Sequence, residues 1–168
     1  MSASISRVVL NEWIFHDLAG ENGPISQRSS AELLIALISR KVCLCFLEAS
    51  PWSEKAHSLM KSEDTLVRKL SKVLHTRVLL DQEKCLRVKR RELTQEEQRI
   101  VDRAPRKDQY LIETYLIADA NLLVTSDHGL LAAFANDERV IVAPRTDYIW
   151  GVTRVSLQSQ STTESAQE

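Results

Sequence analysis

The chain has 168 residues and a mass of 19.1 kDa, with 43% hydrophobic and 27% charged residues, which is enough to bury one core. Its net charge of -1 excludes a strong overall attraction to nucleic acid, and no apolar run approaches the roughly 20 residues needed to cross a bilayer. The first ten residues lack the apolar core of a secretory signal. We therefore predict one cytoplasmic domain over residues 1–152 without membrane contact, followed by a polar, disordered tail over 153–168.

The first half of the chain contains two predicted strands. The β-branched run 8–10 ends at the polar pair Asn11 and Glu12, as a buried strand ends at the rim of a sheet. Ser29 with Glu32 resembles a capping box, which predicts the start of a helix. The short apolar run 42–47 predicts the second strand. Ser50 and Pro51 then suit the N-cap and the first position of the next helix.

The middle of the chain is amphipathic and then strongly basic. Apolar spacing predicts one or two helices over 53–75, a short strand over 76–80, and a helix for the basic run that ends at Arg91. Residues 61–91 hold ten basic against four acidic side chains, so this segment is a candidate surface for phosphates. The alternative is an ordinary solvated helical face. Thr94 and Glu97 form a further capping box.

The segment 106–149 has the clearest pattern. A helical stripe begins just after Asp108, a buried strand follows at 122–124, and Asp127 lies in the turn after that strand. Two shorter elements close the segment, a helix over 129–134 and a strand over 139–142. Strands that alternate with helices imply parallel neighbours joined by right-handed crossovers. We therefore predict a three-layer α/β/α fold with a central, mainly parallel sheet.

Three polar centres are expected at one rim of this sheet. Asn11 with Glu12 follows one strand, Asp127 follows another, and Asp108 opens the helix that leads into the second. Ligand sites of open α/β sheets lie outside the carboxyl ends of the strands. Clustered carboxylates repel one another unless a cation neutralises them, which favours a site for Mg²⁺ or Mn²⁺.

Each of these residues also has a purely structural interpretation. Asp108 and Asp127 both stand at helix starts, where aspartate is favoured as an N-cap. Asn11 and Glu12 suit a plain strand-to-loop transition. Glu54, in the first turn of a helix, interacts favourably with the helix dipole.

The same segment resembles the PIN-domain family. Asp108, a helix, an apolar strand and the run Leu123-Val124-Thr125-Ser126-Asp127 are similar to that family's acid, helix and L-V-T-x-D arrangement. The resemblance is specific over 106–149. Over the first half it rests on the order of elements, with asparagine at position 11 where the family has aspartate.

The resemblance implies a Mg²⁺- or Mn²⁺-dependent endoribonuclease that binds RNA, in some members as the toxin of a toxin-antitoxin pair. It implies Asp108, Asp127 and Glu54, with Glu48 as the rival of Glu54, as acids of the site, and Asn11 or Glu12 as the group that completes the metal shell. Asp17, like Glu12, is a candidate to supply the acid that position 11 lacks. The residues expected to contact RNA are Lys84, Arg87, Lys89, Arg90, Arg91, Thr125 and Ser126. An antitoxin or other protein partner and a homodimer are further expectations. The alternative is a weakly active or inactive module that binds RNA or protein, because an amide at position 11 contributes no charge.

Overall fold

The computed structural model describes residues 5–153. Five strands form one sheet: β1 (Ser6–Leu10), β2 (Val42–Leu47), β3 (Cys85–Val88), β4 (Leu122–Thr125) and β5 (Val142–Pro144). All four neighbouring pairs are parallel, and the strand order is β3-β2-β1-β4-β5. The predicted three-layer α/β/α fold is confirmed.

The helices alternate with the strands along the chain. They are α1 (Trp13–Leu18), α2 (Pro24–Ser39), α3 (Pro51–Leu59), α4 (Thr65–Leu74), α5 (Gln95–Asp102), α6 (Gln109–Ile117), α7 (His128–Ala133) and α8 (145–153). A π-helical turn (His75–Leu79) continues α4, and a 3-10 turn (Arg106–Asp108) precedes α6. Within residues 5–153, none of these helices has the length and apolar character to span a bilayer.

Side-chain alternation along the strands divides the core into two halves. Val8 and Leu10 of β1 face a cluster with α1 to α4 and α8, whereas Val9 faces a cluster with α5, α6 and α7. Both faces of the central strands are therefore covered, as parallel sheets require. The core residues Val9, Leu10 and Leu123 are at most 1% exposed.

Local capping signals predicted several helix starts correctly. Ser50 accepts from the backbone N–H of Ser53 at the start of α3, and Thr94 forms the predicted capping box with Glu97 at the start of α5. The predicted start at Ser29 is wrong. Helix α2 begins earlier, at Pro24, because Gly23 adopts a positive φ of 89° as N-cap and proline suits the first helical turn.

Three other predictions are also wrong. The basic run that ends at Arg91 contains strand β3 instead of a helix, because Cys85, Leu86 and Val88 pair with β2 and pack in the core. The segment 76–80 is helical, since the i to i+5 hydrogen bonds of the π-turn continue α4.

The last strand begins at Val142, three residues later than the predicted 139–142. Asp137 Oδ1 accepts from the backbone N–H groups of Arg139 and Val140, both over 2.8 Å, so this segment is a turn. Of the tail predicted over 153–168, Thr153 belongs to α8 and the remainder lies outside the described residues.

Candidate active site

Strand order places the ends of β1 and β4 beside each other. The chain leaves β1 toward β2 on one side, and β4 lies on the other side, so the order reverses between β1 and β4. Such a switch point leaves a crevice outside the carboxyl ends of the strands. A polar cavity of about 390 Å³ lies there. It is lined by Asn11, Glu12, Trp13, His16, Asn22, Lys107, Asp108, Ser126 and Asp127.

Asp127 is held by both of its carboxylate oxygens. Oδ1 accepts from the backbone N–H of Leu130 over 2.9 Å and caps α7, while Oδ2 accepts from Lys107 Nζ over 2.7 Å. The hydrogen bond from Lys107, with that from Leu130, lowers the pKa of Asp127. A Cβ at position 129 would lie 3.1 Å from Oδ1, so Gly129 leaves room for this carboxylate.

Asp108 differs from Asp127 because its side chain does not cap the following helix. It is 6% exposed, makes no side-chain capping bond to α6, and its Oδ2 has no hydrogen-bond partner among the described residues. Burial and then the charge of Asp127 raise the pKa of Asp108. The capping interpretation therefore explains Asp127 in part and does not explain Asp108.

The Lys107 ammonium is the cation that these two carboxylates share. Nζ lies 2.7 Å from Asp127 Oδ2 and 4.0 Å from Asp108 Oδ2. The two oxygens are therefore at most 6.7 Å apart, the sum of these distances. The Lys107 side chain is 72% exposed, so solvent weakens its ion pairs with the two carboxylates.

Asn11 connects the ends of the two strands. Its Nδ2 donates to Thr125 Oγ1 over 2.9 Å, and its Oδ1 accepts from the backbone N–H of Glu12 over 2.6 Å. Thr125 Oγ1 also accepts from the backbone N–H of Asp127 over 3.0 Å. Thr125 is fully buried, so it positions Asn11 and Asp127 and does not face the cavity, whereas the exposed Ser126 lines it.

Glu12 lies in the cavity beside a second lysine. Its Oε2 accepts from Lys55 Nζ over 3.1 Å, and the same ammonium lies 3.1 Å from His16 Nε2. The charge of Glu12 also contributes to the raised pKa of Asp108, which places it in the same electrostatic group. Glu12 is thus near the two aspartates but neutralised by its own partner.

The two candidates for a further acid lie elsewhere. Glu54 is exposed on the first turn of α3 and does not line the cavity. Glu48 lines a different cavity, at the ends of β2 and β3. Asp17 is fully buried and bonded to Ser30 and Arg145, so it is not available as a ligand.

The five basic residues expected to bind RNA are divided by the fold. Lys84 precedes β3, at the opposite edge of the sheet from the carboxylates, and donates to the backbone oxygen atoms of Leu37 and Arg40. Arg90 pairs with Glu113, and Arg91 pairs with Glu97.

Arg87 and Lys89 lie at the carboxyl end of β3, on the same edge as the candidate site. Both are exposed. Unlike Lys84, these two residues therefore lie on the edge of the sheet at which the predicted contact with RNA would occur.

The oxygen atoms that line the cavity supply only part of the ligands that a hard divalent ion requires. Within residues 5–153, no group of three or more His, Cys, Asp or Glu side chains is arranged to hold a metal ion. Mg²⁺, however, is commonly bound by one or two carboxylates with water and substrate phosphate. The unpartnered Oδ2 of Asp108 beside Asp127 fits that smaller set.

Sequence reasoning missed the two lysines of the site. Lys107 is adjacent to Asp108, and that adjacency was the available signal. Lys55 follows Glu54, so the segment expected to supply an acid supplies a base instead. Both contacts depend on tertiary structure, because Lys107 meets Asp127 and Lys55 meets Glu12 across 20 and 43 residues of chain.

Comparison of the chain with protein-family models, with curated proteins and with solved structures found no match in any of the three.

Proposed function

We propose that the chain is a PIN-like, divalent-metal-dependent endoribonuclease whose reaction takes place in the cavity between β1 and β4. The observation that carries this proposal is the arrangement of Asp108 and Asp127 around one cation, with the buried Oδ2 of Asp108 left without a hydrogen-bond partner. An unpartnered buried carboxylate oxygen is costly, so this atom is suited to a ligand.

Asp108 and Asp127 would hold the Mg²⁺ or Mn²⁺ ion, with Asn11 Oδ1 or Glu12 as a further oxygen donor. Bound there, such an ion would polarise a phosphate and lower the pKa of its water. The residues of the chain do the positioning. Thr125 fixes Asn11 and the backbone of Asp127, and α7 fixes the Asp127 carboxylate through the N–H of Leu130.

The proposed substrate is single-stranded or structured RNA. Arg87 and Lys89 would contact its backbone at the carboxyl edge of the sheet, and Ser126 would contact the phosphate in the cavity. Such contacts with phosphates position a nucleic acid without reading its sequence. A role as a toxin with an antitoxin partner, and a homodimer, remain predictions.

Cleavage of a labelled RNA with Mn²⁺, and with EDTA in its place, tests the proposal. We expect cleavage with Mn²⁺ by the unaltered chain and a loss of at least about a hundredfold in Asp127→Asn. The control is Asp119→Asn, which removes an exposed acid outside the cavity at a positive φ that asparagine tolerates. Unchanged cleavage by Asp127→Asn would refute the site.

The second candidate is a PIN-like module with little catalysis that binds RNA. It is favoured by the amide of Asn11 and by the lysines that already neutralise Glu12 and Asp127. Asn11→Asp separates the two candidates, because the Thr125 hydroxyl can turn to donate to the new carboxylate. A large gain in cleavage favours the weak module, whereas no gain or a loss favours an active site that already uses Asn11.

A further inference from the structure

A second cavity, of about 540 Å³, lies at the same edge of the sheet. It is lined by Phe46, Glu48, Ala49, Trp52, Ser53, Ala56, His57, Met60, His75, Leu79, Leu80 and Arg87. Its volume is in the range of small-molecule binding sites. None of these residues lines the candidate active site, and Arg87 is the one among them with a role in the function proposed above, as a contact to the RNA backbone.

Strand register sets the distance between the two cavities. Phe46 of β2 pairs with Arg87 of β3, and the other side of β2 pairs with β1, so β3 is separated from β1 by the single strand β2. Neighbouring strands are about 4.8 Å apart, so the end of β3 is about 10 Å from the end of β1. One short single strand of RNA can therefore reach both cavities.

The lining combines two stacked, buried aromatic rings, the exposed guanidinium of Arg87 and a Trp52 hydrogen-bond donor without an acceptor among the described residues. Arg87 Cζ lies 5.3 Å from the centre of the Phe46 ring, and Phe46 stacks on Trp52 with ring centres 4.9 Å apart. Arg87 is exposed. Trp52 is 2% exposed, and its Nε1–H has no acceptor among the described residues. A buried donor without an acceptor is destabilising, and Trp52 lines the cavity, so a small movement of the indole toward a carbonyl or ring nitrogen of a guest would relieve it.

These features fit an unstacked nucleobase better than a phosphate or an aliphatic chain. Bases of single-stranded RNA are commonly stacked on aromatic rings or arginine planes and bonded at their edges. Leu80, 72% exposed, and Met60, 39% exposed, supply apolar surface at the cavity, and the basic Arg87 and Lys89 offer charge to the adjoining phosphates.

We propose that the cavity between Phe46, Trp52, Leu80 and Arg87 is a nucleobase-binding subsite that holds one unpaired base of the RNA whose backbone crosses Asp108 and Asp127. This subsite deepens the proposed ribonuclease function and rests on it for the identity of the ligand. It gives the chain a means to select where a single strand lies relative to the carboxylates.

The test is a scan of a short single-stranded RNA in which one base at a time is replaced by an abasic nucleotide. Binding to the full chain is measured by fluorescence anisotropy in EDTA, so that no strand is cut. We expect one position at which loss of the base weakens binding about tenfold, and we expect that dependence to vanish in Arg87→Gln and in Leu80→Glu. The control Arg28→Gln removes an exposed arginine of α2 and should keep the dependence of binding on that one base.

An equal effect of abasic nucleotides at every position would overturn the subsite and leave the cavity to another occupant, such as a side chain of a protein partner. The subsite is also overturned if Arg87→Gln and Arg28→Gln show the same dependence of binding on that one base. RNA that binds with one sensitive position but is never cut with Mn²⁺ would remove the nuclease proposal and leave the subsite standing. Cleavage of RNA that shows no sensitive position would keep the nuclease proposal and remove the subsite.

Discussion

Lys107 Nζ donates to Asp127 Oδ2 over 2.7 Å, although the two residues are 20 positions apart in the chain. This hydrogen bond lowers the pKa of Asp127 and raises the pKa of Lys107, so both groups are charged at neutral pH. The lysine therefore provides the positive charge that two nearby carboxylates need. A divalent ion has to compete with it.

Removal of the Lys107 charge should strengthen metal binding. In Lys107→Gln the divalent ion no longer meets a nearby ammonium, whose repulsion of a double charge at about 4 Å in water corresponds to roughly 2 kcal/mol, or about thirtyfold in affinity. Calorimetric titration with Mn²⁺ measures the change. The matched control Arg106→Gln removes an exposed charge from the same 3-10 turn that does not line the cavity. Equal affinities of the unaltered chain and Lys107→Gln would show that no ion binds beside this lysine.

Asp127 has a structural role that can be separated from its chemical one. Asparagine is as good an N-cap as aspartate, so Asp127→Asn should keep α7 and unfold like the unaltered chain. Asp127→Ala loses the bond to the N–H of Leu130 and should lose about 1 kcal/mol of unfolding free energy. Urea denaturation of the two variants measures this. Equal destabilisation by both would mean that the contact with Lys107, and not the cap, stabilises the fold.

The buried charge of Asp108 predicts a pH-dependent stability. Because burial raises its pKa above the ordinary value of 3.8, the folded state binds the proton more tightly than the unfolded state does. Below pH 3.8 the carboxyl is protonated in both states, so its burial does not lower the free energy of unfolding. As the pH rises through the folded-state pKa, the free energy of unfolding decreases. Asp108→Asn should therefore be the more stable protein at pH 7 in EDTA.

That difference should shrink as the pH falls toward 3.8, and thermal unfolding at a series of pH values measures it. Asp119→Asn, an exposed acid at the end of α6, serves as the comparison and should show no such gain. A variant Asp108→Asn that is less stable than the unaltered chain at pH 7 would contradict the burial argument.

The buried pair of Asp17 and Arg145 ties α8 to α1. Asp17 Oδ2 lies 2.5 Å from an Arg145 nitrogen and accepts from Ser30, and Asp17 is fully buried. Arg145→Met leaves this carboxylate without its cation and should cost about 3–5 kcal/mol of unfolding free energy. The double variant with Asp17→Asn should recover much of the loss. A cost below about 1 kcal/mol in urea denaturation would mean that Ser30 and Asn22 alone satisfy Asp17.

Local signals predicted those parts of the fold that depend on nearby residues. The capping boxes at Ser50 and Thr94 and the strand before Asp127 were predicted because their determinants lie within a few positions. Strand β3 was missed because four residues are too short for a period-2 pattern, and pairing with β2 overrides the helical preference of the basic run.

The candidate site was predictable to a similar extent. Asn11, Asp108 and Asp127 meet because parallel strands bring their carboxyl ends to one edge, which follows from the order of elements. The partners of Glu12 and Asp127 were not predictable, since Lys55 and Lys107 reach them through tertiary packing. The predicted position of Glu54 in the site was also wrong. Glu54 is exposed on α3 and does not line the cavity, which depends on how α3 packs and not on nearby residues.

We propose above that Asp108 and Asp127 together bind one divalent ion. Crystals soaked in Mn²⁺ and measured for anomalous scattering test it most directly. We expect a peak about 2.1 Å from an oxygen of each carboxylate, with the Lys107 ammonium moved away from Asp127. A cavity without such a peak, in which Lys107 still lies between the two aspartates, would contradict metal binding by Asp108 and Asp127.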